Sequence, residues 1–242
     1  VLADFALSHT GVPAPMVVNS IVSSPMLADI AAHHGARFAQ TLTGFKWIWN
    51  AALDLEAEGP ERFVFGYEEA LGYCVGPAVR DKDGISAAVL FADLITAALG
   101  EGTDVWGRLD VLYRRHGLWV STQKSVVRPG TEGAAEIAAA MTRIGETTPD
   151  RLGGHTVTGA TDFRHGAEDR PRYLPSASLV ELDLGDAGRV LVRPSGTEPK
   201  IKIYVDLRAE LAADDDVWQR EETLVGEAST IGEELAVFLG FG

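Results

Sequence analysis

Between residues 16 and 116, short apolar runs alternate with stretches in which apolar positions recur every three or four residues. "MVVNSIVSS" (16–24) predicts a strand, and "PMLADIAAHHG" (25–35) a short helix with Pro25 near its first turn and Gly35 as its stop. "RFAQTLTG" predicts a second strand ending in a glycine, and "FKWIWNAALDLEAEG" carries apolar residues at 45, 48, 52 and 55, a helical spacing. A third strand, "RFVFGYEE" (62–69), runs into a Gly-containing loop. "DKDGISAAVLFADLITAALG" (81–100) then resumes helical spacing at 85, 89, 92, 95 and 99. Strand and helix in alternation predict an α/β layer with a mainly parallel sheet. Ligands of such sheets lie beyond the carboxyl ends of the strands, where "TLTGFK" and "GYEEALGY" fall.

The pattern changes after "DVWGRLDVLYRRHG" (104–117), a helix ending in basic residues and Gly. "LWVSTQKSVV" predicts a strand and "TEGAAEIAAAMTRIG" (131–145) a helix opening on a Thr cap, while residues 146–176 are rich in Gly, Thr, Pro and Asp. "SASLVELDLG", "GRVLVRPSG" and "KIKIYVDLRAE" predict strands joined by short turns. "AADDD" reads as a solvated acidic turn or helix start, before an amphipathic helix with apolar residues at 217, 224, 228, 231, 235 and 238. The expected organisation is an α/β domain over 1–117 and an α+β domain with an antiparallel sheet over 118–242.

A content of 46% hydrophobic residues supports real cores in 242 residues, and the formal net charge of −14 argues against a broad basic footprint for nucleic acid or anionic lipid. An anion would have to be caught locally. No apolar run approaches the length of a membrane span, so no transmembrane helix is expected. Cys74, the single cysteine, excludes an intrachain disulfide framework and fits a reducing, cytoplasmic setting. Val1 begins directly on an apolar helix-like segment, which leads us to expect a piece of a longer chain.

Within that acidic background "RVLVRPSGTEPKIKIYVD" (189–206) gathers Arg193, Lys200 and Lys202 around a tight turn. The period of two places Lys200, Lys202, Tyr204 and Asp206 on one face, expected to be wet, and Ile201, Ile203, Val205 and Leu207 on the other. Pro194 restricts the backbone, Gly196 tolerates positive φ, and Ser195 and Thr197 add hydroxyls beside successive N–H groups, the ingredients of an anion nest. Arg193 can add a bidentate contact to phosphate. On the residues alone, this turn is either a phosphate site or a hairpin with ordinary surface cations. Glu68 and Glu69 likewise read either as a solvated acidic helix start or as acceptors for vicinal sugar hydroxyls. The histidines lack metal-ligand spacing and read as surface or cap residues, and the tryptophans as packing.

"RPSGTEPKIKIY" resembles the phosphate-binding loop in the last domain of the α-D-phosphohexomutases, the phosphoglucomutase and phosphomannomutase family. "FGYEEALGY" (65–73) resembles that family's sugar-specificity loop, "LTGFKW" (42–47) its preceding ligand loop, and "DKDGISAAVL" (81–90) its Lys-Asp-Gly segment. The resemblance implies a three-layer α/β domain followed by a TATA-binding-protein-like domain. It implies sugar contacts from Thr43, Gly44, Phe45, Glu68, Glu69 and Lys82, and phosphate contacts from Arg193, Ser195, Gly196, Thr197, Lys200 and Lys202. Many members carry Ser two positions after the first Glu, where this chain has Ala70, and the Gly-Tyr-Glu-Glu-Ala form is most similar to a subgroup of phosphopentomutase-like and some bacterial phosphomannomutase enzymes.

The family's reaction moves phosphate between two sugar hydroxyls through a bisphosphate, which also serves as activator, and uses a phosphoserine and Mg²⁺ carried by the first two domains. No Asp-Gly-Asp-type loop or Thr-Ala-Ser-His-Asn-like loop occurs here, and "ALSHTG" (6–11) does not match one. The resemblance therefore implies the third and fourth domains of a mutase acting on mannose or glucose phosphate, inactive without the N-terminal half. A phosphopentomutase and a non-catalytic phosphosugar-binding module are the alternatives.

Overall fold

In the computed structural model, which describes residues 1–196 and 198–242, the chain folds as two units. One comprises Val1–Gly117 with Pro171–Leu174, the other Leu118–Arg170 with Pro175–Gly242.

The first unit is built on strands β1 (Pro15–Ser20), β2 (Arg37–Thr41), β3 (Arg62–Glu68) and β4 (Gly72–Val75), in the order β2-β1-β3-β4. β1 is parallel to both neighbours and β4 antiparallel to β3. Helices α1 (Leu2–His9), α2 (Met26–His33), α3 (Phe45–Glu58), α4 (Gly84–Gly100) and α5 (Val105–His116) complete it. From β1 the chain adds β2 on one side and returns past β1 to β3 on the other. Right-handed crossovers in opposite directions put α2 and α3 on opposite faces of the sheet. Met16 and Val18 of β1 pack with Ile48, Trp49, Ala52 and Leu55 of α3, while the intervening Val17 is buried on the far side. That double burial explains why Met16, Val17 and Val18 are apolar without alternation. Gly66 allows the close approach of α3, since a Cβ there would lie 3.0 Å from Ile48 Cγ2.

Where the sequence predicts a Gly-containing loop after the third strand, the chain turns within Glu69–Leu71 and pairs back as β4. Leu71 occupies the left-handed region at φ 60°, a position where Gly is the usual signal of a turn. Ser8 and His9 bond within α1, Ser8 Oγ donating to the Asp4 carbonyl at 2.8 Å and His9 Nδ1 lying 2.9 Å from the Phe5 carbonyl.

His116 departs from its expected surface placement. It is buried, with its ring edge-on to His33 at 5.6 Å. Burial first, then the charges of Arg115 and His33, lower its pKa, with Asp29 and Asp4 opposing. A histidine depressed in this way binds fewer protons folded than unfolded, so stability is full above its unfolded pKa near 6.5 and is lost as pH falls below it. We expect the urea midpoint of the first unit to drop between pH 7.5 and 5.5, read from hydrogen exchange at β1, and His116→Leu to flatten that slope.

The second unit holds β5 (Leu118–Val127), α6 (Gly130–Glu146), a short hairpin of β6 (Arg151–Leu152) and β7 (His155–Thr156), then β8 (Gly159–Asp162), β9 (Val180–Asp183), β10 (Gly188–Pro194), β11 (Lys200–Ala209) and α7 (Val217–Phe238). Its main sheet runs β5-β11-β10-β9-β8, antiparallel throughout. α7 packs on β5 and β11 and α6 on β10, and Arg143 of α6 donates to the Phe238 carbonyl of α7 at 3.1 Å. The acidic stretch ends in a cap: Asp216 accepts from the N–H groups of Trp218 and Gln219. Thr131 caps nothing, because α6 begins a residue earlier, after Pro129. β8 is largely exposed and at the sheet edge, so it carries no apolar alternation to betray it. Trp49 is a core residue as expected, whereas Trp106 and Trp218 are exposed.

The face of β11 expected to be wet is wet only near the turn. Tyr204 and Asp206 are buried, Asp206 accepting from Arg189 Nε at 2.9 Å and Ser121 Oγ at 2.6 Å. Arg189 stands directly across from Asp206 in the β10–β11 register, so the buried carboxylate meets its counter-ion inside the sheet.

Candidate functional site

In the first unit, three strand ends meet at the carboxyl edge of the parallel sheet. Gly44, at φ 116°, turns the chain from β2 into α3, and its N–H donates to Glu68 Oε1 at 2.5 Å. A carboxylate at the end of β3 thereby sits at the N-terminus of α3, where unpaired N–H groups and the helix dipole favour negative charge. Lys82 Nζ lies 3.5 Å from Glu68 Oε2 and 4.7 Å from the centre of the Phe45 ring. Phe45 itself is buried in the core and forms the floor under Lys82. Gly72 makes room for both, since a Cβ there would meet Phe45 Cε2 at 2.8 Å and Lys82 Cε at 3.2 Å. Asp83 caps α4, accepting from Ile85 and Ser86, and so anchors the Lys82 backbone.

Glu69 is held from a different strand. Ser20 Oγ donates to Glu69 Oε2 at 3.2 Å, the Glu69 N–H donates to Ser23 Oγ at 3.1 Å, and the two hydroxyls are 2.8 Å apart. Motif reading passes over Ser20 and Ser23. Their signal is a run of polar residues, Asn19-Ser20 and Ser23-Ser24, closing an otherwise apolar strand; Asn19, Ser20 and Ser23 are wholly buried. The fold thus gathers Gly44, Phe45, Glu68, Glu69 and Lys82 at one sheet edge, with Thr43 half-buried in the same loop. Chemically it offers carboxylates that accept from hydroxyls beside an ammonium that donates.

In the second unit, Arg193 and Lys202 face each other across β10 and β11. The loop between them is closed by the Ser195 N–H donating to the Lys200 carbonyl at 2.8 Å and the Lys200 N–H to the Glu198 carbonyl at 2.8 Å. Gly196 is exposed, and Thr197 lies outside the described residues. Lys202 Nζ donates to Gln123 Oε1 of β5 at 3.0 Å, a partner that sequence reading misses because it comes from a strand remote in sequence. The register puts the two cations side by side, and the charge of Lys202 also reaches Glu198, so the turn gathers Arg193, Lys200 and Lys202 in the neighbourhood of one carboxylate. Lys200 Nζ is meanwhile 2.6 Å from Glu198, whose carboxyl is held below its ordinary range first by that hydrogen bond and then by the lysine's charge. An anion held at this turn would have to compete with Glu198 for Lys200. Glu198→Gln should therefore tighten binding of inorganic phosphate about two- to fivefold at low salt, with the gain fading as salt is added, measured by calorimetric titration.

Among the described residues no three His, Cys, Asp or Glu side chains are arranged to hold a metal. Cys74 is buried and its thiol pKa is pushed up to about 11, chiefly by burial, which keeps the thiol protonated near neutral pH.

A doubly covered α/β sheet with a carboxylate–lysine edge, followed by an antiparallel α+β unit with a basic hairpin, corresponds to two domains of one family. Residues 1–108 match phosphoglucomutase/phosphomannomutase, alpha/beta/alpha domain III, and residues 164–221 match phosphoglucomutase/phosphomannomutase, C-terminal domain. The chain belongs to the phosphoglucomutase/phosphomannomutase family, the α-D-phosphohexomutases. It is 38% identical to a probable phosphomannomutase of Haemophilus influenzae over 198 residues, which covers 81% of this chain and 37% of that protein. It is 31% identical to a phosphopentomutase of Mus musculus over 202 residues, covering 80% of this chain and 32% of the relative. The fold is that of pp63/parafusin, a phosphoglucomutase from Paramecium, with a TM-score of 0.64 at 18% identity over 99% of this chain and 41% of that one. The chain thus spans about two fifths or less of the length of the proteins it matches.

Proposed function

We propose that this chain is the substrate-recognition half of a phosphomannomutase or phosphoglucomutase, which interconverts sugar 1- and 6-phosphates through a bisphosphate intermediate. The observation that carries the reading is the gathering of Arg193, Lys200 and Lys202 around a Ser-Gly turn, with Arg193 and Lys202 opposite in the β10–β11 register of a strongly acidic chain. The second unit holds phosphate through Arg193, Ser195, Gly196, Thr197, Lys200 and Lys202. The first unit reads the sugar through Thr43, Gly44, Glu68, Glu69 and Lys82, with Phe45 as the support beneath Lys82. These residues bind and orient; transfer needs a phosphoryl donor and Mg²⁺ supplied by an N-terminal half, where the metal would neutralise charge on the moving phosphoryl group.

Phosphopentomutase is the second reading: the Gly-Tyr-Glu-Glu-Ala form, with Ala70 in place of a serine hydroxyl, is similar to phosphopentomutase-like as well as some bacterial phosphomannomutase enzymes, and a phosphopentomutase is among the matches. The test is turnover of mannose 1-, glucose 1- and ribose 1-phosphate by the longer protein that carries this chain. The first reading predicts turnover fastest on one of the two hexose phosphates and none by the 242-residue chain alone. Preference for ribose 1-phosphate would favour the second, and a coding region upstream of Val1 without a phosphorylatable serine loop or an Asp-rich metal loop would leave a phosphosugar-binding module.

A further inference from the structure

The segment "RPRYLP" (170–175) comes more than a hundred residues after α3, yet its central turn packs as part of the first unit. Pro171–Leu174 closes on itself through the Leu174 N–H donating to the Pro171 carbonyl at 2.8 Å, and prolines at 171 and 175 bracket it. Tyr173 lies partly buried against the core between β1–β3 and α3. Arg172 places its fork on α3: Nε and Nη2 each donate to Asp54 at 2.6 Å, and Nη1 donates to Asn50 Oδ1 at 2.5 Å.

Two of these contacts lead to the loop that carries the candidate sugar site. Asn50, oriented by Arg172, donates through Nδ2 to the Lys46 carbonyl at 2.6 Å, in the first turn of α3. On the other flank, the Leu42 N–H donates to the Tyr173 carbonyl at 3.4 Å. Residues 42 and 46 bracket Gly44, the residue whose N–H meets Glu68. One four-residue turn therefore reaches both ends of a five-residue loop, Leu42 directly and Lys46 through Asn50.

We propose that Arg172 and Tyr173 are positioning residues: the 171–174 turn holds loop 42–46 in the conformation in which Gly44 binds Glu68. That such a loop serves a sugar rests on the function proposed above; that the turn holds it does not. A bidentate guanidinium suits this task because it fixes direction as well as distance, whereas a lysine at the same place would supply charge alone.

Amide hydrogen exchange in the 242-residue chain tests the hold directly. Arg172→Ala should speed exchange at Leu42 and Gly44 about tenfold or more, leaving Val17 and Val18 in the centre of the sheet unchanged. Asn50→Ala, which cuts the link to Lys46 but keeps the Arg172–Asp54 pair, should speed Gly44 in the same direction and decides the matter if Arg172→Ala fails to fold. Unchanged exchange at Leu42 and Gly44 in the folded variants would overturn the proposal, as would an equal rise at Val17 and Val18, the mark of packing alone. The consequence for ligand is read beside it: affinity for glucose 1-phosphate should fall in both variants while affinity for inorganic phosphate stays. If Glu68→Ala leaves glucose 1-phosphate binding untouched as well, it is the sugar-site reading that fails, and exchange still judges the hold.

Discussion

Replacing Arg189 with leucine is expected to destabilise the second unit by about 3–5 kcal/mol at neutral pH, because it strands a carboxylate inside the sheet. Asp206 is 1% exposed and depends on Arg189 and Ser121, while Arg189 also reaches Glu181 Oε2 at 3.3 Å. Burial pushes both carboxyls up, and the Arg189 charge opposes the rise. Without Arg189 that opposition is gone. A carboxyl whose folded pKa exceeds its unfolded value contributes stability below the unfolded value, near 4, and that stability is lost as pH climbs through the folded pKa. The Arg189→Leu deficit should therefore be largest at neutral pH and shrink on acidification toward the carboxylate range. Urea unfolding of Arg189→Leu, Asp206→Leu and the double variant gives the cycle: the double variant should recover more than half of the loss, and simple additivity would contradict a buried pair. The functional stake is the hairpin itself, since Arg189–Asp206 sits on the same two strands as the Arg193–Lys202 pair at its tip.

The second large effect divides labour between the two units. In the longer protein, Arg193→Ala should weaken every sugar phosphate alike, by about 1.5–3 kcal/mol, on the order of 10- to 150-fold, since a guanidinium on phosphate is blind to the sugar. Glu68→Ala should instead reorder mannose, glucose and ribose phosphates, because a buried acceptor discriminates among hydroxyl arrangements. It also removes the acceptor of the Gly44 N–H, so the loop at the head of α3 loses its fixed partner. Binding constants for the three sugars with each variant are the readout. Equal losses on all sugars from both substitutions would contradict the division.

Much of this arrangement is legible in the chain. Period-three and period-four apolar spacing marks the core faces of α3 and α7, whereas in α4 the apolar set at 85, 89, 92 and 99 is exposed and the buried residues are Ala87, Leu94 and Ala98; the apolar Met16–Val18 of β1 follows from cover on both faces. What escapes reading depends on partners distant in sequence. β4 hides because a leucine rather than a glycine takes the left-handed turn position, and β8 hides because an exposed edge strand needs no apolar alternation. The burial of Asp206 is invisible without the register that brings Arg189 opposite. At the sheet edge, the residue types of Glu68 and Glu69 leave a solvated helix start open and only the resemblance singles out Glu68 and Lys82, while the bond from Gly44, the Phe45 floor and the serines behind Glu69 appear only when three strand ends converge. The 171–174 turn is the extreme case: its prolines read as loop, and nothing local announces that it docks on α3.

The central claim is that one chain carries a sugar-reading loop pair and a phosphate-holding hairpin. The most direct measurement is a backbone NMR titration of the chain with glucose 1-phosphate and, separately, inorganic phosphate. The sugar phosphate should shift amides in two groups, Thr43–Phe45 with Glu68–Glu69 and Arg193–Gly196 with Lys200–Lys202, and inorganic phosphate should shift the second group alone. Shifts at neither group, or shifts by glucose 1-phosphate that inorganic phosphate reproduces in full, would contradict it.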